Sequence, residues 1–347
     1  MTTPAAIWIR ADANPTIGLG HLMRCFALAQ ACRDLGAEVT FALSSPVPSL
    51  APRFESERIH TVILGEEPGS EADCKATAAA ILTAKVMRVV IDGYHFTESF
   101  QRALQQAGAS VMTIDDNAEV GQYVSEWIFN QNLHADASLY PNRPESTQLL
   151  LGAQYVLLRR DFVTKGTAAR VVSPTAQNIL VTLGGGDQDN VTEQVFLALK
   201  LIREPLTIRM VVGAANPHFE RLHTIITTTH HHHHVELIRN VEDMRSLMMW
   251  ADFAITGAGS TCWEACYLGL PFSTIIVADN QVAIANRLDQ RGAAYNLGWH
   301  TALDPATLSN RLLKLFNDPA KRQRMSDTGR TLIDGHGAER TARALLK

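Results

Sequence analysis

The sequence predicts an α/β protein built from two Rossmann-like domains, with parallel sheets facing an interdomain cleft. Three observations predict it. Short apolar strands alternate with amphipathic helices along the whole chain, the pattern of parallel sheets flanked by helices. Each half opens on a strand followed by a glycine-rich turn, Gly18–Gly20 in the first and Gly184-Gly185-Gly186 in the second. The 347 residues exceed the usual size of one domain. In doubly wound sheets ligands bind at the carboxyl ends of the strands, so two such sheets are expected to border one cleft.

The elements follow in order. Apolar runs near 7–11, 39–43, 89–91, 111–114 and 127–129 read as strands of the first half. A helix over 21–35 stops at Gly36, the expected punctuation after a helix. In the second half strands are expected near 179–182, 208–212, 253–256 and 272–277, with helices over 191–201, 241–250, 261–268 and 280–291. The end is helical from Pro305, broken near Pro319 and at Gly335–Gly337. The small, polar stretch 164–177 (TKGTAARVVSPTAQ) suits a linker. The domains are therefore set at 1–164 and 178–347, joined by 165–177, with the last helix free to pack back on the first domain.

Composition narrows the function. A hydrophobic content of 46% and a charged content of 19% are those of an ordinary globular protein. A net charge of -4 argues against nucleic acid as the partner. No apolar run reaches the roughly 18 residues that span a bilayer, and Asp12 and Asn14 interrupt any signal-peptide pattern. A cytoplasmic protein without a membrane partner is expected, its oligomeric state open and a monomer compatible. The five cysteines (25, 32, 74, 262, 266) lack paired spacing and read as reduced, mostly buried core residues.

The most informative stretch is 7–33, IWIRADANPTIGLGHLMRCFALAQACR. A strand runs through a polar turn into Gly18-Leu19-Gly20-His21 and then a helix. Glycines at a strand-to-helix turn let a ligand approach the backbone, and the N–H groups of the helix favour negative charge there. Gly18 and Gly20 are therefore candidate substrate contacts. His21 lies in the first turn, where the dipole opposes protonation; a neutral imidazole beside a bound phosphate makes His21 the candidate general base. A dinucleotide fingerprint would need glycine at 23, where Met23 stands.

A second glycine-rich turn, Thr256-Gly257-Ala258-Gly259-Ser260-Thr261, follows a strand and opens a helix. Backbone N–H groups at 259–261 and the hydroxyls of Ser260 and Thr261 suit a diphosphate, with Gly257 and Gly259 allowing close approach. Glu264, one turn on, could accept from a ribose diol; Thr261-x-x-Glu264 also fits a capping box. Asn280 and Gln281 open the next helix, and their amides could meet sugar hydroxyls or acetamido groups or merely cap the helix. Tyr94, in Asp92-Gly93-Tyr94-His95 at a strand end, is a candidate contact to phosphate or sugar, with His95 a possible second base. Asp115-Asp116 could be an acid–base pair or a hydrogen-bonded turn. Gly184-Gly185-Gly186-Asp187 is a further loop candidate, and Asn190-x-x-Glu193 reads as a cap. The run His230–His234 lacks fixed ligand geometry and reads as a solvated loop. No metal and no cofactor is expected.

The motifs as a set resemble a known family. Ile9-Arg10-Ala11-Asp12, Ile17-Gly18-x-Gly20-His21-x-Met23-Arg24-Cys25, Asp115-Asp116, Asn130-Gln131-Asn132 and Leu151-Gly152 to Tyr155-x-Leu157-Leu158-Arg159 carry the likeness in the first half. Gly213-Ala214-x-Asn216-Pro217, Gly257-Ala258-Gly259-Ser260-Thr261-x-Trp263-Glu264, Leu268-Gly269-Leu270-Pro271 and Asn280-Gln281 carry it in the second. Together they resemble the UDP-2,4-diacetamido-2,4,6-trideoxy-beta-L-altropyranose hydrolases of pseudaminic acid biosynthesis, across nearly the whole chain. The resemblance implies a GT-B fold related to the peptidoglycan N-acetylglucosaminyl transferase. It implies a C-terminal domain that holds UDP and an N-terminal domain whose catalytic histidine is His21, with Tyr94, Glu264 and Asn280 at substrate-binding positions. Gly93 departs from it, standing where relatives often carry histidine. So do Asn117-Ala118-Glu119 after the aspartate pair, and the histidine run. The expected reaction is hydrolysis of a UDP-activated deoxy-diacetamido sugar by water that His21 activates. The alternatives are a GT-B glycosyltransferase with a UDP-amino-sugar donor and a non-catalytic nucleotide-sugar binding protein.

Overall fold

The computed structural model describes residues 5–13, 19–166, 169–214 and 216–347. The chain forms two compact units, Met1–Arg160 with Gly335–Lys347, and Asp161–Asp334.

The first unit holds a seven-stranded parallel sheet: β1 (Ala6–Ala11), β2 (Glu38–Leu43), β3 (His60–Ile63), β4 (Arg88–Asp92), β5 (Ser110–Ile114), β6 (Trp127–Asn130) and β7 (Gln148–Leu151). Their order is β3-β2-β1-β4-β5-β6-β7. The helices are α1 (Gly20–Asp34), α2 (Ala51–Ser56), α3 (Glu71–Ala84), α4 (Glu98–Gln106) and the short α5 (Arg160–Val163) at the boundary of the units. Alternation along the strands builds two cores. Ile7, Ile9, Val90 and Met112 face one side with Leu22, Cys25 and Phe26 of α1. Trp8, Val89, Ile91 and Val111 face the other with Ile81, Phe100 and Leu104. Burial on both faces is why these strands read as continuous apolar runs.

The second unit holds a six-stranded parallel sheet: β8 (Asn178–Thr182), β9 (Thr207–Val212), β10 (His234–Arg239), β11 (Phe253–Gly257), β12 (Phe272–Ile276) and β13 (Tyr295–Trp299). Their order is β10-β9-β8-β11-β12-β13. Its helices are α6 (Val191–Leu199), α7 (Phe219–Thr228), α8 (Met244–Trp250), α9 (Thr261–Leu268), α10 (Val282–Arg291), α11 (Pro305–Phe316) and α12 (Pro319–Leu332). The helix over 244–250 starts three residues later than the periodicity suggests, because Asp243 accepts from the Ser246 N–H at 2.9 Å and caps it there. Gly213 fits only as glycine, since a Cβ there would lie 2.2 Å from the Gly185 carbonyl oxygen. The β8–α6 and β9–α7 loops therefore touch backbone to backbone.

The described part of 165–177 is pinned within the second unit. Arg170 donates to the Met248 carbonyl at 2.6 Å, and Arg322 to the carbonyls of Ser173 and Pro174 at 2.8 and 2.9 Å. The last helix, α13 (Gly337–Leu346), belongs to the first unit. Its Ala338, Ala342 and Leu345 join the core beside α1. A Cβ on Gly337 would come within 2.3 Å of the Val156 carbonyl oxygen, so glycine sets that approach. Among the described residues, no helix is long and apolar enough to cross a membrane.

Candidate active site

Each sheet has one place where the strand order reverses. In the first it lies between β1 and β4, and in the second between β8 and β11. Loops leaving the carboxyl ends of two such strands diverge and leave a crevice. The glycine-rich turns singled out in the sequence emerge at these two places. β1 feeds the turn before α1, and β11 feeds the turn before α9.

At the first reversal β1 and β4 pair in register, Ala11 beside Asp92. α1 starts at Gly20, so His21 is its second residue. Among the described residues nothing lies within 4 Å of a Cβ on Gly20; Gly18 lies outside them. The His21 Nδ1 is 2.6 Å from Oδ1 of Asp92, the last residue of β4. Arg24, one turn along α1, grips the same carboxylate with two hydrogen bonds. Nε donates to Oδ2 and Nη2 to Oδ1, both at 2.7 Å. The Cys25 thiol donates to Oδ2 at 3.2 Å. Asp92 is 1% exposed. Burial opposes its charge, but Arg24 and His21 together hold its carboxyl well below the usual carboxylate range. An ionised carboxylate only accepts, so the His21 proton sits on Nδ1 and Nε2 is left to take another. The 3.2 Å approach of Arg24 Nη2 to His21 Nδ1 then sets two donors side by side and is not a bond.

The network continues across the strand ends. Arg24 Nη1 donates to Asp116 Oδ2 at 2.5 Å, and Asn132 Nδ2 donates to Asp116 Oδ1 at 2.8 Å. Burial opposes the Arg24 charge, yet Asp116 and Asp92 keep the guanidinium's pKa well above its ordinary value. Asp115 and Asp116 do not act as a facing pair. Asp115 accepts from the N–H groups of Asn117, Glu119 and Val120 and from the Tyr123 hydroxyl, so it staples the turn. Arg10 and Asp12 are likewise structural. Arg10, fully buried, donates to both oxygens of Asp73 on α3 and pairs with Asp12, which holds the Ser44 N–H at 2.7 Å.

Tyr94 stands edge-on to the His21 ring, centroids 5.1 Å apart, and is 42% exposed. Its next neighbour in the chain but one, Phe96, packs tilted against His95, ring centroids 4.2 Å apart. Among the described residues the buried His95 Nε2 has no hydrogen-bond partner and lies 4.0 Å from Asp12 Oδ2. Burial lowers the pKa of His95.

At the second reversal α9 begins at Thr261. Its N-cap residue, Ser260, makes no side-chain cap bond. Thr261 is already helical and so is not the N-cap, and Glu264 sits in the first turn, half-buried. Ser260 is exposed at the helix start, and nothing lies near a Cβ on Gly259. Gly257 ends β11 and is buried. Asn280 and Gln281 belong to a single 3₁₀ turn, Asp279–Gln281, that precedes α10. Asn280 is exposed. The Gln281 side-chain oxygen accepts from the backbone N–H groups of Ala258 and Val277, at 3.1 and 3.2 Å. Gln281 thus ties the diphosphate-candidate turn to the end of β12. Asp187 caps α6 through the N–H groups of Val191 and Thr192.

In the histidine run His230, His232 and His234 are exposed, as expected of a solvated loop, but His233 is not. His233 is 7% exposed; its Nε2 donates to the Leu199 carbonyl at 2.9 Å and its Nδ1 accepts from the Leu206 N–H at 3.2 Å. The run continues straight into β10, which pairs with β9 from His234 onward. Among the described residues no group of His, Cys, Asp and Glu is arranged to hold a metal.

Sequence reasoning quoted Arg24, Asp92, Asp116 and Asn132 within motifs but gave them no role at His21. One signal was available: Arg24 stands three residues after His21, on the same helical face.

Residues 178–339 match the glycosyltransferase family 28 C-terminal domain. The spore coat polysaccharide biosynthesis protein SpsG of Bacillus subtilis is 28% identical over 205 residues, 58% of each chain. The structure of Acinetobacter baumannii MurG superposes with a TM-score of 0.71 at 17% identity, over 99% of both chains. The S. aureus MnaA–UDP structure does so at 0.70 and 16%, over 97% of this chain and 94% of its own. The fold is of the GT-B type, and its second half is similar to the family 28 C-terminal domain. The chain spans little more than half the length of the first curated relatives it matches, 56% and 58%.

Proposed function

We propose that this protein is an enzyme that displaces UDP from the anomeric carbon of a UDP-amino-sugar, with His21 as the general base. One observation carries the proposal: the His21 Nδ1 is held at 2.6 Å by a buried, ionised Asp92, which leaves Nε2 as the proton acceptor. Nε2 removes a proton from the acceptor oxygen as that oxygen bonds to C1. The bond from C1 to the phosphate oxygen breaks, its electron pair leaves with UDP, and the configuration at C1 inverts. Diphosphate is a good leaving group, so no strong acid is needed. The N-terminus of α9, where Ser260 makes no side-chain cap bond, together with Gly257, Gly259, Ser260 and Thr261, is suited to the growing negative charge. Glu264 and Asn280 are assigned to the ribose and sugar, and Tyr94 to the sugar beside His21.

Two acceptors fit this chemistry. The matched family 28 domain and the MurG-like fold favour an acceptor hydroxyl, which makes the reaction glycosyl transfer. The motif run through Arg10-Ala11-Asp12 and Gly20-His21-x-Met23-Arg24-Cys25 favours water, with UDP-2,4-diacetamido-2,4,6-trideoxy-beta-L-altropyranose as donor. One panel separates them. UDP-sugars, that donor and UDP-N-acetylglucosamine included, are scored for UDP release with no acceptor added. Release of free sugar from the diacetamido donor supports hydrolysis, and release only with an added acceptor supports transfer. His21→Ala should cut turnover by roughly 100- to 10,000-fold; full activity in that variant would remove His21 from the mechanism.

A further inference from the structure

The network behind His21 contains more charge than orientation alone requires. Asp92 and Arg24 form a bidentate pair and cancel each other. With only that pair, the imidazolium formed when His21 takes a proton would face a neutral partner. Asp116 adds a second carboxylate, bonded to the third nitrogen of the same guanidinium. Asp92, Arg24 and Asp116 then carry one net negative charge, which a proton on His21 neutralises.

We propose that Asp116 is a positioning residue for His21, acting through Arg24, and that it supplies the net negative charge that stabilises the imidazolium. The inference rests on the proposed role of His21 as base. The fold builds the arrangement from the ends of three adjacent strands. Asp92 ends β4, Asp116 follows β5, and Asn132 follows β6. Asn132 holds the second Asp116 oxygen at 2.8 Å, so the carboxylate is clamped between Arg24 and Asn132. The Asp116 main chain is fixed independently: its carbonyl accepts from Asn130 Nδ2 at 2.9 Å and His134 Nε2 at 3.2 Å. Asp116→Asn therefore keeps size and backbone while removing the charge, and its single amide oxygen can serve only one of the two donors, Arg24 Nη1 or Asn132 Nδ2.

A purely structural pin and a charge-supplying group make opposite predictions in a double variant. Asp116→Asn leaves the cluster neutral. Adding Arg24→Gln returns it to one negative charge, on Asp92, at the expense of the guanidinium's bonds to Asp92 and to residue 116. With UDP-2,4-diacetamido-2,4,6-trideoxy-beta-L-altropyranose as donor, kcat and KM would be measured for wild type, His21→Ala, Asp116→Asn and Arg24→Gln/Asp116→Asn, each corrected for folded fraction by circular dichroism. The expected result for Asp116→Asn is a loss of roughly ten- to a hundredfold in kcat, with KM changed by no more than about threefold, since one charge near a partly buried site carries that much. The double variant should recover at least about threefold in kcat over Asp116→Asn. An inactive His21→Ala beside an Asp116→Asn of wild-type kcat, or a double variant slower than Asp116→Asn, overturns the inference and leaves the base intact. An active His21→Ala takes both down. If Asp116→Asn fails to fold, Asn132→Ala, which frees the clamp and one bond to the Asn130 side chain, should lose roughly three- to tenfold in kcat; wild-type kcat there refutes the proposal.

Discussion

Replacing Asp92 by Asn tests the arrangement at its centre. The two oxygens of Asp92 receive four donors: His21 and Arg24 on Oδ1, Arg24 and Cys25 on Oδ2. An amide offers one oxygen and one NH2 group. If the NH2 takes the Oδ1 position, it faces two donors, and His21 can pair with it only by moving its own proton to Nε2. That tautomer cannot accept a proton where the reaction needs it. Loss of the correct tautomer in a comparable histidine–carboxylate pair costs about 10⁴-fold in kcat, or roughly 5 kcal/mol of barrier. If the NH2 takes the Oδ2 position, His21 keeps its partner, but Arg24 Nε loses its acceptor. Breaking a buried ion pair costs about 3–5 kcal/mol of stability, within the roughly 5–15 kcal/mol that domains possess. The assay is therefore UDP release per folded molecule, alongside a denaturant titration at several pH values. The Asp92 pKa is lowered on folding, so its stabilisation is complete above its unfolded value and is lost as pH falls below that toward the folded one. The stability gap between wild type and Asp92→Asn should accordingly shrink below about pH 4. A folded Asp92→Asn with kcat within twofold of wild type would refute the reasoning.

Three further outcomes follow from the fold. Gly213→Ala forces a Cβ to 2.2 Å from the Gly185 carbonyl oxygen, backbone that cannot step aside; it should destabilise the protein by at least about 1–3 kcal/mol, read as a lower thermal midpoint. His233→Ala leaves the Leu199 carbonyl and Leu206 N–H without a partner and should cost about 1–3 kcal/mol, whereas exposed His230→Ala should be silent in the same melt. Burial lowers the His233 pKa, so its folded ring resists a proton that the unfolded chain accepts, and the wild-type advantage over His233→Ala should diminish as pH drops below about 6.5.

The strands that the sequence revealed and those it hid divide by position in the sheet. The nine expected strands are β1, β2, β4, β5, β6, β8, β9, β11 and β12, each flanked by neighbours on both sides. The four unexpected ones, β3, β7, β10 and β13, are the four edges. Their residues are mixed and half-exposed, as in HTVI of β3 and HVELIR of β10, where one long edge is open to solvent. An edge strand does not need the apolar run that betrays a central one. Helix limits were legible where the stop is local, as at Gly36, and less so where a side-chain cap such as Asp243 decides the start.

The site divides along a similar line. Its two glycine-rich turns are local features, and the residues on them, Gly20, His21, Gly257, Gly259, Ser260 and Thr261, can be named from short stretches of chain. The groups that act on His21 come from elsewhere. Asp92 is 71 positions from His21, and Asp116 is 92 from Arg24. What brings them together is the reversal in strand order, which sets β4 beside β1 and then β5 and β6 in turn. A sequence shows that a strand ends in Asp92; only the order of the strands shows that this end lies next to the start of α1. The same holds for Gln281: the sequence offers its amide as a sugar contact or a cap, and only the adjacency of β12 and β11 shows that its oxygen bonds both strand ends. Side chains at the ends of neighbouring strands thus hold the first turn of α1 and the turn before α9 in place. Variants at Asp92, Asp116 and Gln281 consequently test the topology as much as the chemistry, and each should act through a segment whose own residues are unchanged.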